Sequence, residues 1–188
     1  MKKNNNSILA AAFIAVVIGI LYYSMMPAWV SNSTGLSEFS TNKALEHIKY
    51  ISKKPHYVGS KNHTDVANYL VQELKKLGLQ PQIQEGTTLT EWGNLVKSRN
   101  IIARINGNDP SKALLLLSHY DSAPHSFSKG ASDDASGLAT ILEGLRAFLH
   151  ENKSRNNDII ILFSDAEELG LNGAALFVTQ HKWAKEVG

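Results

Sequence analysis

Residues 158–170 read DIIILFSDAEELG. The aliphatic run Ile159 to Leu162, closed by Phe163 and Ser164, is short and reads as a buried strand. Two adjacent glutamates, Glu167 and Glu168, stand just beyond its end. Desolvating one carboxylate is costly, and two side by side repel each other. Such a strand end requires a positive charge nearby.

The same plan recurs upstream. "ALLLLSHYDS" (113–122) is an apolar strand followed by His119 and Asp121, and "GASDDASG" (130–137) leads into a helix from Gly137 to about Leu149. A further helix is expected from Gly173 to about His181. "PQIQEG" (81–86) and "NIIARI" (100–105) read as strands, with Gly-Asn-Asp-Pro (107–110) as the turn before the third. Two helices precede them. One runs from Thr41 to about Ser52, capped by Ser40, with Leu45, Ile48 and Ile51 on one face. The other runs from about Thr64 to Leu77, with Val66, Tyr69, Leu70, Leu74 and Leu77 apolar, and Gly78 closes it. Strands alternating with helices predict an α/β fold: a mixed, mostly parallel central sheet with helices on both faces, preceded by one transmembrane helix.

The 188 residues suffice for one globular domain plus an accessory segment. Net charge is +2, and Lys2 and Lys3 account for it; 17 basic residues remain against 17 acidic ones. The folded part is therefore near neutral and carries no basic face for nucleic acid. With no cysteine, disulfides and thiolate metal sites are excluded.

From Asn4 to Ser37 no residue is charged, and Ile8 to Met26 is almost wholly apolar. At 1.5 Å per residue that stretch spans about 28 Å, close to the ~30 Å hydrocarbon core of a bilayer. Lys2 and Lys3 precede it and no basic residue follows until Lys43. The positive-inside rule places residues 1–7 in the cytoplasm as a tail, 8–26 across the membrane, 27–38 as a linker, and the rest on the extracytoplasmic side. A cleaved signal peptide is the rival reading; its apolar region should be shorter and end in a small-x-small site, for which only "SNS" (31–33) offers itself. Asn32, Asn62 and Asn152 begin Asn-x-Ser/Thr sequons, which arise easily by chance in an asparagine-rich chain.

Open α/β sheets place ligands beyond the carboxyl ends of their strands, where all three polar clusters fall. His119 and Asp121, two apart on extended chain, point the same way, and a carboxylate beside an imidazole fixes the tautomer of a metal-binding histidine. One aspartate of Asp133 and Asp134 is an ordinary helix cap; two between glycines add to the acidic gathering. A divalent cation such as Zn²⁺ suits carboxylates with imidazole and relieves their repulsion. Adjacent glutamates then divide the work, one ligating and one moving a proton.

The blocks "PHYVGS", "NIIARI", "LSHYDSAP", "GASDDASG", "FSDAEELGLNGA" and "FVTQHKWAKEVG" together resemble the M28 family of zinc-dependent exopeptidases, above all its membrane-anchored endoplasmic-reticulum and vacuolar branch. The resemblance implies a zinc exopeptidase-like fold over 39–188, incomplete here. It also implies a peptide substrate and two zinc ions. His119 would bind one zinc and Glu168 the other, with Asp133 bridging them; Glu167 would be the general base and Asp121 would orient His119. The family uses two further ligands, an acidic residue and a histidine, downstream of the Glu-Glu pair. Here only His181 and Glu186 follow, neither at a matching position, so the chain is expected to be the N-terminal part of an enzyme.

The other histidines carry no expected role. His47 and His63 read as surface residues, His56 lies in a shared block, and His125 reads as a loop residue near the cleft. Trp92 reads as packing. Beside the aminopeptidase reading stand two others: a non-catalytic binding domain on the same scaffold, which would not need Glu167, and a glutaminyl-cyclase-like zinc acyltransferase.

Overall fold

A computed structural model describes residues 5–26, 35–90, 93–109, 112–151 and 153–188. Most of the expected linker, Trp92, Asn32, Asn152 and Pro110 lie outside the described residues. The chain divides into two units, Met1–Ser31 and Asn32–Gly188.

Among its described residues the first unit holds one helix, α1 (Asn5–Ser24). Its 20 residues rise about 30 Å, and its Ser7–Ser24 stretch is long and apolar enough to cross a membrane.

In the second unit the expected elements form with shifted ends. α2 (Thr41–Ile51) starts where the Ser40 hydroxyl accepts the Lys43 N–H. α3 (Lys61–Lys76) begins a turn earlier than predicted, because the Ser60 hydroxyl accepts the His63 N–H at 3.1 Å and serves as the cap. It ends as Gly78 turns left-handed (φ +80°), with Leu79 N–H donating to Leu74 O and Gly78 N–H to Lys75 O. β1 (Gln82–Leu89) and β2 (Leu95–Ile105) form a hairpin; β3 (Ala113–His119), α4 (Ala135–Glu151), β4 (Asp158–Ser164), α5 (Asn172–Gln180) and a 3₁₀ turn (Lys182–Glu186) follow.

The sheet order is β1-β2-β4-β3. Among the described residues the β3–β4 ladder is parallel, and β1–β2 and β2–β4 are antiparallel. The expected mixed sheet forms: among the described strands β1, β3 and β4 run one way and β2 runs against them. The cause is local: the short β1–β2 connection can only reverse the chain, whereas α4 supplies the crossover that makes β3 and β4 parallel.

Alternation along the strands builds a core on each face. Ile101, Ala103, Ile105, Ile161 and Phe163 pack with Ile51 of α2, Val66, Leu70 and Leu74 of α3, and Leu138, Leu142 and Leu145 of α4. Ile102, Ile160 and Leu162 point the other way, onto Phe177 of α5, with Trp183 and Val187 at the edge. Helices cover both faces, as expected.

A buried carboxylate locks the start of this unit. Glu143 on α4 accepts the Ser40 N–H at 2.7 Å and pairs with Arg146 (Nε–Oε2 2.7 Å). Arg146 also donates to the carbonyls of Leu36 and Glu38. Burial opposes ionisation of Glu143, but Arg146 and the Ser40 amide outweigh it and hold the carboxyl below its usual 4.5. A depressed native pKa gives stability that is full above the unfolded value and lost as pH falls through the native one. Glu143→Gln is expected to cost about 3 kcal/mol at pH 7 by stranding Arg146. In urea unfolding the gap to wild type should narrow below pH 4.5; a gap constant with pH would contradict this.

Candidate active site

β3 and β4 end together: His119 and Ser164 are partners on the last rung of their parallel ladder. The Tyr120 N–H donates to Ser164 O at 3.0 Å, which carries the pairing one residue further. His119 stands on that rung, and the chain runs beyond it into Asp121 on one side and Asp165 on the other. This is the strand-end crevice where open α/β sheets bind ligands.

His119 is buried, at 7% exposure. Its Nδ1 donates to the Asp121 carbonyl at 3.1 Å, with the Asp121 carboxylate at 3.4 Å. Its Nε2 meets Asp133 Oδ1 at 2.9 Å and lies 3.8 Å from Glu167 Oε2. Burial resists a charge on this ring, yet Asp121, Asp133 and Glu167 prevail and raise its pKa to about 9. Without a metal, the imidazolium is the positive charge that the carboxylates gather around.

Asp121, 1% exposed, does more than the sequence implied. Its Oδ1 accepts the Glu167 N–H at 3.0 Å and its Oδ2 the Glu168 N–H at 3.1 Å. One carboxylate thus joins both strand ends. Ala166, buried with φ +55°, turns the chain at that point; a non-glycine residue there is held against steric cost. The carboxyl of Glu168 is pushed upward, first by desolvation and then by the like charges of Asp133, Asp121 and Glu167.

The two aspartates of "SDDAS" separate in role. Asp134 is the cap: its Oδ1 accepts the Gly137 N–H at 3.0 Å and its Oδ2 the Ser118 hydroxyl at 2.6 Å. Asp133, with a largely exposed side chain, is the one that reaches His119.

The donors, one imidazole nitrogen and several carboxylate oxygens, suit a hard-to-borderline divalent cation. Two ligands bound at 2.0–2.1 Å to one tetrahedral ion stand about 3.3 Å apart. The His119–Asp133 contact therefore needs to open by only a few tenths of an ångström to admit one. Among the described residues, no three His, Asp or Glu side chains close around a single point. The donor chemistry fits a metal; the coordination number is not filled by these residues.

Other histidines depart from expectation. His63 is buried, not on the surface, because it lies in register with Val66, Ala67 and Leu70 on the apolar stripe of α3. It meets Asp165 (Nε2–Oδ1 2.7 Å), a residue for which no role was expected. His47 is half-buried, with Nδ1 2.6 Å from the Tyr69 hydroxyl. His56 is buried at 1% exposure; its N–H donates to Ser122 Oγ at 2.9 Å, which docks the loop before α3 on the site. His125 is an exposed loop residue lining a groove with Tyr57, Pro124 and Phe127.

Residues 100–188 match the model of Peptidase family M28. The chain is 32% identical over 197 residues to a vacuolar membrane protease of Candida dubliniensis, covering 92% of this chain and 20% of that protein. It is 34% identical over 158 residues to one of Schizosaccharomyces japonicus, covering 77% and 18%. Solved structures share the fold. A Zn-dependent exopeptidase from Parabacteroides distasonis aligns with TM-score 0.60 at 27% identity, over 71% of this chain and 49% of that one. The Porphyromonas gingivalis glutaminyl cyclase gives TM-score 0.60 at 29% identity, over 68% and 46%. The chain thus spans about a fifth of its fungal relatives and about half of the solved ones. Strand-end clusters, sheet and sequence agree with the match of residues 100–188 to peptidase family M28.

Proposed function

We propose that this protein is a membrane-anchored, zinc-dependent exopeptidase that releases N-terminal residues from peptides. His119, Asp133 and Glu168 would hold zinc, two ions in all. The observation that carries the reading is the approach of two carboxylates, Asp133 Oδ1 at 2.9 Å and Glu167 Oε2 at 3.8 Å, to His119 Nε2 at the paired ends of β3 and β4. When bound, zinc supplies Lewis acidity that makes water nucleophilic at neutral pH and polarises a carbonyl.

The chain's own groups supply the remainder. Asp121 holds His119 through Nδ1, which leaves Nε2 as the ligating atom. Through the Glu167 and Glu168 amides the same carboxylate fixes the start of the loop that bears both glutamates. Glu167, partly exposed beside His119, takes the proton of the attacking water at Oε2 and delivers it to the leaving amine. Asp134 is occupied as a cap and takes no part.

The membrane part of the reading rests on α1, which acts as an uncleaved anchor. Lys2 and Lys3 would keep its start cytoplasmic and place the catalytic unit on the other side, with no nucleic-acid partner.

A second reading is favoured by the likeness to glutaminyl cyclases from Porphyromonas gingivalis and Tannerella forsythia. In that case the same site would close an N-terminal glutamine with loss of ammonia. The full-length protein, loaded with zinc, separates the two. The peptidase reading expects amino acids to be released from unblocked peptides, with activity lost to a chelator. Ammonia release from glutaminyl peptides without chain shortening would overturn it.

A further inference from the structure

Beneath the two strand ends lies a closed ring of four contacts. His63 Nε2 donates to Asp165 Oδ1 at 2.7 Å, and Asp165 Oδ2 accepts the Arg99 N–H at 2.8 Å. The Arg99 carbonyl accepts the Tyr120 hydroxyl at 2.7 Å. The Tyr120 ring stacks on His63, with centroids 4.8 Å apart and planes at 16°. The three side chains are buried at 8%, 1% and 0% exposure.

The ring's position gives it leverage. Tyr120 sits between His119 and Asp121, and Asp165 lies two residues before Glu167. The Asp165 backbone is fixed as well: its N–H donates to Asn100 Oδ1 at 3.1 Å and its carbonyl accepts the Gly173 N–H at 2.8 Å. A Cβ on Gly173 would collide with that carbonyl, so α5 approaches the strand end this closely only with glycine there. His63 is the one ring member from an element before the sheet, α3.

We propose that His63 is a positioning residue for the site. Through Asp165 and Tyr120 it locks the end of β4 against the end of β3, so that the Glu167 and Glu168 amides meet the Asp121 carboxylate. It touches no ligand and no reacting atom. Only its effect on metal affinity rests on the metallopeptidase reading. The alternative is a core histidine that merely fills space.

His63→Phe keeps the stacking on Tyr120 and removes the donor; His63→Gln keeps a donor. In the full chain, amide exchange at Glu167 and Glu168 is expected to be at least ten-fold faster in His63→Phe, with Ala44 and Ile48 of α2 unchanged. Co²⁺ affinity, read from the d–d spectrum in chelator competition, should fall about 10–100-fold. His63→Gln should restore most of both. A folded His63→Phe with wild-type exchange at Glu167 and Glu168 overturns the proposal, and so does exchange raised equally in α2. If His63→Phe does not fold, Asp165→Asn reads the same link, and unchanged exchange there overturns it. A wild-type chain that takes up no cobalt would count against the proposed function, while amide exchange would still decide the role of His63.

Discussion

Glu167→Gln is expected to lower peptide hydrolysis about 10²–10⁴-fold, the contribution of a well-placed general base. Glutamine keeps the shape and the polar contacts but cannot take a proton. The effect should fall on kcat, because Glu167 stands 3.8 Å from His119 Nε2 and is near the ligating atoms without bonding them. Its side chain is 37% exposed, so stability should change by no more than about 0.5 kcal/mol. Zinc affinity should stay within a few-fold. Glu168→Gln should do the reverse, weakening metal uptake first. Equal losses of affinity in both variants would show that the two glutamates have been assigned the wrong tasks. Intact hydrolysis in Glu167→Gln would remove the proposed mechanism altogether.

Asp121→Ala should damage fold and site together. It strips the acceptor from the Glu167 and Glu168 amides and removes the carboxylate beside His119 Nδ1. Each unsatisfied buried amide costs about 1–3 kcal/mol, so a loss of roughly 3 kcal/mol is expected in urea unfolding. Freed from Asp121, the loop should present Glu168 less well, and metal affinity should fall about 10–100-fold. Asp121→Asn tests the geometry more narrowly, because one acceptor remains while the amide group opposes the other N–H. It should be intermediate in stability. An Asp121→Ala chain as stable as wild type, with unaltered metal affinity, would contradict the bridging role.

Apolar runs made much of this legible. "ALLLL" and "DIIILF" could be little other than strands, though only the second is buried along its length while Leu114 and Leu117 of β3 stay exposed; their polar sequels could only lie beyond the sheet. The pairing of β2 with β4 was not legible, since it joins residues far apart in sequence, Ile101 with Phe163 at one end. "LVKSR" carries little strand signal at the start of β2, because only Ser98 is buried among those five residues. In the site, the sequence marked Asp133 and Asp134 as a pair but carried no sign of which would cap α4. Ser118 and Gly137 decide that in favour of Asp134. The two amides on Asp121 come from 46 and 47 residues downstream, a partnership that spacing alone does not encode. His63 falls one residue before the expected start of α3; with Ser60 as the cap, the helix reaches back and sets His63 on the stripe of Val66, Ala67 and Leu70.

Metal uptake tests the central claim most directly. The folded chain, dialysed against zinc and then against metal-free buffer, should retain zinc by elemental analysis. His119→Ala and Asp133→Ala chains that melt like wild type should retain far less. A folded wild-type chain that retains no zinc, cobalt or manganese would mean that the carboxylates around His119 are balanced by its imidazolium alone, and the account of the site would fail.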